Sequence, residues 1–177
     1  MSAPCPFSKW GIDIVGPFPV ASGQRKFLIV AVDYFSKWVE AEPVARIGES
    51  NIKDFIWKNL VSRFGWPRDL VSDNGTQFQG TKIRKWCEEM KVRQHFTSVA
   101  HPQANGQVEV TNRAIVRGIK ARLYVARGGW VDELQYVLWT YRTTPKEATG
   151  ETHFSLVYGV KRLLCGNRNG NTSHSYL

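Results

Sequence analysis

The sequence is poor in the residues on which small disulfide-linked or zinc-binding domains depend. Its three cysteines are odd in number and far apart in the chain (Cys5, Cys87 and Cys165). This argues against a disulfide framework and favours a reducing, intracellular setting. The four histidines have no Cys-x-x-Cys pair to accompany them, so we expect no structural zinc site. No apolar run approaches the length of a membrane span, and the N-terminus lacks the basic-then-apolar pattern of a secretory signal. We therefore expect no membrane association.

Acidic residues are also the minority. The chain has 24 Lys and Arg against 15 Asp and Glu, a formal net charge of +9 over 177 residues. Residues 1–90 are nearly balanced, with 12 basic against 10 acidic, whereas residues 91–177 hold 12 against 5. Both a polyanionic partner and a solvated basic surface are consistent with this excess. The hydrophobic fraction of 42% indicates one globular domain of ordinary size.

Apolar segments in the first half predict a mixed five-stranded sheet. Three short-linked segments predict an antiparallel meander, with the run from residue 26 as a central strand because it is almost entirely apolar. Two later strands alternate with helices, which implies parallel pairing. The predicted strands are residues 10–15, 26–33, 38–43, 69–72 and 92–97.

Helical periodicity follows the meander and dominates the second half. Ser50 is a candidate cap for a first helix that Gly65 ends. Three more helices are predicted: one after residue 80, one at about 105–126, and one from near Trp130. Their apolar stripes are predicted to consist of Ile52, Phe55, Ile56, Leu60 and Phe64; Ile83, Trp86, Cys87 and Met90; Val108, Ile115, Ile119 and Leu123; and Leu134, Val137, Leu138 and Tyr141.

Three carboxylates stand at positions where chemistry is expected. Asp73 ends a short apolar strand before an Asn74-Gly75 turn, so it points into the crevice where open α/β sheets bind ligands. Asp-Asn-Gly alone is an ordinary turn sequence. However, Asp13 lies in a second apolar strand, and Glu109 begins the long helix after 35 intervening residues. Asp13 and Asp73 lie side by side if their strands are adjacent in the sheet.

Four segments, in order, carry a resemblance to a known family. They are Trp-Gly-Ile-Asp-Ile-Val-Gly-Pro from residue 10, Val-Asp-Tyr-Phe-Ser-Lys-Trp from 32, Ser-Asp-Asn-Gly-Thr-Gln-Phe from 72, and His-Pro-Gln-Ala-Asn-Gly-Gln-Val-Glu from 101. Over residues 7–159 the chain resembles the catalytic core of a retroelement integrase, closest to gypsy-type LTR retrotransposons. The resemblance places an Asp, Asp, Glu triad on Asp13, Asp73 and Glu109. It implies a ribonuclease H-like α/β fold, two divalent metal ions and DNA strand transfer.

The chemistry of the three carboxylates agrees with that implication. Carboxylates brought together repel one another unless cations neutralise them, and oxygen-only ligands favour Mg²⁺ or Mn²⁺. Two such ions clamp the attacking and leaving oxygens of a phosphodiester displacement. Water would attack in end processing and a DNA 3′-hydroxyl in joining. Asp33 is a possible fourth ligand, but a solvated Asp before a turn is the interpretation we favour.

The long helix supplies the nucleic-acid prediction. Four polar or basic residues lie three, four, eight and eleven positions after Glu109 and share one side of the helix (Asn112, Arg113, Arg117 and Lys120). A basic row leading away from a metal-binding Glu suits a DNA phosphate backbone, although an ordinary solvated face has the same composition. The preceding loop resembles the mobile integrase loop, in which Asn105 either caps the helix or contacts DNA.

Together these observations predict a metal-dependent DNA strand transferase core at residues 10–159. Residues 1–9 are a lead-in, and residues 160–177 lose all periodicity and are expected to be disordered or aberrant. Two alternatives remain: a catalytically silent nucleic-acid-binding remnant, and a structure-selective nuclease on the same fold. The expected partners are element ends and target DNA in a homo-oligomer, and the expected location is the nucleus.

Overall fold

The computed structural model describes residues 5–97, 106–126, 129–145 and 150–159, and it leaves out the side chains of 106–112. Strands β1 (Lys9–Val15), β2 (Phe27–Asp33) and β3 (Val39–Val44) form an antiparallel meander. Strands β4 (Asp69–Ser72) and β5 (Arg93–Phe96) add to β1 in parallel. The sheet order is β3-β2-β1-β4-β5, so the predicted mixed sheet and the interior position of β2 are confirmed.

Helices cover both faces of this sheet. Helix α1 (Glu49–Phe55) continues through a π-helical turn (Ile56–Val61) into α2 (Ser62–Phe64). A short α3 (Thr76–Gln79) precedes α4 (Thr81–Glu89). The second half consists of α5 (Gly106–Val125), α6 (Trp130–Thr143) and α7 (His153–Tyr158). None of the described helices is long and apolar enough to cross a membrane.

Each face of the sheet has its own apolar core. Trp10, Ile12 and Leu70 point to one face and pack against α1, the π-helical turn and α4. Val30, Val32 and Val39 point to the other face and pack against α5 and α6. Because successive strand side chains alternate between faces, Gly11 and Asp13 share the second face with Val30 and Val32. The site carboxylate on β1 is therefore on the α5 side of the sheet.

Three predicted details are wrong. Ser50 is not the cap of the first helix: Gly48 is, without a side-chain hydrogen bond. Met90 lies just past the end of α4 and is 41% exposed. On α5 the buried stripe runs through Val116, Ile119 and Leu123, because the helix is rotated so that Ile115 lies only at the margin of the core.

Candidate active site

Adjacent parallel strands bring two of the three predicted carboxylates together. In the β1–β4 register Gly11 lies opposite Val71, so Asp13 and Asp73, each two residues further on, lie at the same end of the sheet. Both line a cleft of about 100 Å³ with Arg113 of α5. Tyr34 and Thr97 also line this cleft, and neither residue was predicted from the sequence as part of the site.

The electrostatics of the cleft do not favour a charged Asp13. Burial raises the pKa of Asp13, the Ile14 N–H lowers it, and the nearby Asp73 carboxylate raises it again. Arg113 and Lys120 lower the pKa but do not offset burial and repulsion, since the net direction is upward. A bound divalent cation would reverse this balance, because it favours the ionised form of every carboxylate around it.

In Asp13 and in Asp73, one carboxylate oxygen accepts a hydrogen bond from a backbone N–H group. The Ile14 N–H donates to Asp13 Oδ1 at 2.8 Å, and the Gly75 N–H donates to Asp73 Oδ1 at 2.9 Å. Among the described residues, no hydrogen bond or ion pair reaches the second oxygen of either carboxylate. These hydrogen bonds orient both groups and leave one oxygen of each for an external ligand. Such a donor set fits Mg²⁺ or Mn²⁺, which prefer carboxylate oxygen.

The basic residues of α5 lie beside Asp13. A groove of about 360 Å³ runs between the end of β1 and the helix, and its basic lining consists of Arg113, Arg117 and Lys120. Arg113 and Arg117 are exposed. Three cationic side chains thus follow one another along a groove that starts at the candidate site.

The remaining predicted site residues divide into two groups. The side chains of Asn105, Glu109 and Asn112 lie outside the described residues. Within the described residues, no group of three or more His, Cys, Asp or Glu side chains is arranged to hold a metal ion. The predicted triad therefore stays a prediction, with its two Asp members adjacent in the structure.

Asp33 has a structural role that the sequence did not predict. It is fully buried rather than solvated. Its Oδ1 accepts the Phe7 N–H at 2.9 Å, and its Oδ2 accepts the N–H and the hydroxyl of Ser36, both at 2.7 Å. Burial nevertheless raises the pKa of Asp33. Asp33 fixes the turn after β2 and ties the chain before β1 to it, and it does not line the cleft.

The comparisons with known proteins agree with this architecture. Residues 3–102 match the profile of the integrase core domain family (rve). The chain is 35% identical over 157 residues to the Gag-Pol polyprotein of avian reticuloendotheliosis virus, covering 88% of this chain and 13% of that protein. It is 22% identical over 153 residues to the retrovirus-related Pol polyprotein from transposon 412 of Drosophila melanogaster, covering 86% and 12%.

A solved structure supports the same assignment at the level of fold. The HTLV-2 integrase catalytic core domain, in complex with magnesium and in a trimeric form, superposes with a TM-score of 0.62 at 21% identity. The alignment covers 85% of this chain and 96% of that one. The ribonuclease H-like fold class is thereby confirmed. The chain spans only about an eighth of the curated polyproteins described above. The chain belongs to the integrase core domain family of the retroviral integrase superfamily.

Proposed function

We propose that this chain is the catalytic core of a retroelement integrase and performs divalent-metal-dependent DNA cleavage and strand transfer. One observation carries the proposal: Asp13 and Asp73 meet in one cleft at the start of a basic groove. Membership of the integrase core family gives that arrangement its chemical meaning. Gypsy-type retrotransposons are the proposed source within the superfamily, as the sequence motifs suggest.

Each predicted residue has a part in this proposal. Asp13 and Asp73, with Glu109 from α5, would hold Mg²⁺ or Mn²⁺, as two ions. When bound, the metal supplies Lewis-acid stabilisation and lowers the pKa of the attacking water or hydroxyl. The groove side chains Arg113, Arg117 and Lys120 would hold the DNA phosphates and orient the strand. Asn105 and Asn112 would add polar DNA contacts at the start of the helix. The proposed unit is residues 10–159, to which Lys9 is joined as the first residue of β1.

We further propose that the core acts as a homo-oligomer on nuclear DNA. Four aromatic side chains on α6 and α7 are at least half exposed: Tyr136, Trp139, Phe154 and Tyr158. An apolar surface of this kind supports a protein interface, and the occupant we propose is a second copy of this chain. Strand transfer needs two DNA ends and a target held together, which one small core does not provide.

The test is cleavage and reversal of a preassembled joined DNA product by the purified chain at low salt. We expect single-end nicking or reversal with Mg²⁺ or Mn²⁺, and none in EDTA. Paired insertion of two ends is not expected, because a few phosphate contacts give a non-specific Kd on the order of 10⁻⁴ to 10⁻⁶ M. DNA binding without any metal-dependent chemistry would overturn the enzyme proposal in favour of a silent binding remnant.

A further inference from the structure

A second cationic cluster lies on the same sheet face as the candidate active site, at the opposite end of the strands. Asp69, at the start of β4, is 4% exposed. Arg93 Nε lies 2.8 Å from its Oδ1 and Arg93 Nη2 3.0 Å from its Oδ2, and Arg68 Nε lies 2.9 Å from Oδ2. His95 Nε2 lies 2.8 Å from Oδ1. One carboxylate therefore gathers two guanidinium groups and an imidazole.

The strand register connects this cluster to the cleft. Lys9, Asp69 and Arg93 lie opposite one another on β1, β4 and β5, and Gly11, Val71 and His95 form the next row. Side chains two residues apart on a strand share a face, so the row after that begins with Asp13 and Asp73. Asp69 and Asp73 are four residues apart, which is about 13 Å at roughly 3.3 Å per residue.

This half of the sheet face is open in the described part of the chain. The apolar core under α5 and α6 takes its strand residues from β1, β2 and β3, and none from β4 or β5. Val71 packs only with Tyr34 in a small cluster of its own. The side chains of Arg68, Arg93 and His95 are 55%, 60% and 50% exposed. A DNA strand that leaves the cleft in this direction would meet no helix among the described residues.

The arginines have donors left after binding Asp69. A guanidinium carries five N–H groups, and Asp69 takes one from Arg68 and two from Arg93. Within the described residues these arginines have no other acceptor. Lys9, whose ammonium lies 4.6 Å from the centre of the Tyr34 ring, adds a further cation to the same row. Lys9, Arg68 and Arg93 thus give this cluster three cations besides His95 against one carboxylate, so it attracts anions.

We propose that Arg68 and Arg93, oriented by Asp69, form a phosphate-binding point for the DNA strand that enters the Asp13–Asp73 cleft. A distance of about 13 Å corresponds to roughly four nucleotides, at 3.4 Å of rise per nucleotide in one strand of a duplex. The row would thus hold the strand about four nucleotides from the scissile phosphate. This inference rests on the proposed function for the identity of the DNA ligand, but not on metal chemistry.

The test is the salt dependence of binding to a fluorescein-labelled DNA duplex, measured by anisotropy in EDTA. Each phosphate contact adds about 0.9 to the slope of log K against log salt. R68Q and R93Q should each lower the slope by about one, and the double variant by about two. The matched control is R84Q, because Arg84 is exposed on α4, which packs against the opposite face of the sheet. R84Q should leave the slope unchanged.

The two proposals fail in different ways. An unchanged slope in R68Q, which leaves Arg93 and His95 on Asp69 and should fold normally, would overturn this inference whatever the enzyme activity. An equal slope loss in R84Q would also overturn it, since the effect would then reflect net charge alone. If R68Q and R93Q each lower the slope while the wild-type chain never cleaves DNA, this inference is supported and the proposed function is refuted.

Discussion

Two carboxylate sites on one face of one sheet have opposite electrostatic states. At the amino end of β4, burial opposes ionisation of Asp69, but hydrogen bonds from His95, Arg93 and Arg68 outweigh it and lower its pKa to about 2. At the carboxyl end, burial and the neighbouring Asp73 raise the pKa of Asp13. The protein supplies the cations for one site and leaves the other deficient in positive charge.

The difference separates a carboxylate that stabilises the fold from a pair that is available for a ligand. Asp69 contributes to stability whenever it is ionised, because its partners favour the charged form. Asp13 and Asp73 lower the stability of the metal-free protein when both are ionised, since like charges close together repel. Proteins retain such unfavourable arrangements mainly at functional sites.

The largest effect should come from a substitution in the Asp13–Asp73 cleft. Asp73→Asn removes a charge but little volume, so the fold should survive, and metal-dependent cleavage should fall about a thousandfold, or about 4 kcal/mol of barrier. Gel analysis of labelled DNA checks this. Asp54→Asn, an exposed Asp on α1, is the matched control and should retain full activity.

A substitution of Asp69, whose carboxylate is paired with cations, should instead lower the stability of the fold. Asp69→Asn removes the negative charge and one of the two oxygens that bind Arg68, Arg93 and His95, and it should lower the free energy of unfolding at pH 7 by about 2 kcal/mol. Urea denaturation measures the change. A loss as small as that caused by Asp54→Asn would show that the cluster does not stabilise the fold.

The stabilisation by Asp69 has a defined pH dependence. A depressed pKa stabilises the folded state above the unfolded value of about 3.8, and the effect disappears as the pH falls to about 2. The difference in unfolding free energy between wild type and Asp69→Asn should therefore shrink across that window. A difference that stays constant from pH 6 to pH 2 would contradict the assigned pKa.

The basic groove gives a smaller effect on binding. Arg113→Gln should lower the salt slope of DNA binding by about one and weaken binding similarly for all sequences. Anisotropy titrations with two unrelated duplexes check both parts. A loss confined to one duplex would show base readout instead of phosphate contact.

The smallest expected effect has the opposite sign to that of Asp69→Asn. Since the pKa of Asp13 is raised in the folded protein, its ionisation above the unfolded pKa lowers stability. Asp13→Asn should therefore slightly raise the melting temperature in EDTA at pH 7. Calorimetry measures the shift, and a lower melting temperature would show that the carboxylate is satisfied by the protein.

Sequence patterns predicted the sheet because its buried strands are short apolar runs, which can be recognised from neighbouring residues alone. They did not predict the partners of Asp69, since Arg93 and His95 are 24 and 26 residues away and reach it only through the β4–β5 register. Ser50 failed as a cap for a tertiary reason: the adjacent Glu49 accepts the Lys82 and Ile83 N–H groups at the start of α4.

The site itself was predictable only in part. The positions of Asp13 and Asp73 follow from strand ends, which hydrophobic patterns locate well. Asp33 ends a strand in the same way, yet it is buried by Phe7 and Ser36, and strand ends alone do not distinguish these outcomes. The direction in which Arg113 and Lys120 point depends on the rotation of α5 about its axis. In that rotation Val116, rather than Ile115, is buried against the sheet.

Calorimetric titration of Mn²⁺ into the purified chain tests the central contrast most directly. Wild type and Asp69→Asn should both bind the ion, because Asp69 lies at the other end of the sheet. Asp73→Asn should lose that binding, since Asp73 is one of the two carboxylates of the cleft. Retained binding in Asp73→Asn, or loss of binding in a folded Asp69→Asn protein, would contradict the assignment of the Asp13–Asp73 cleft as the cation site.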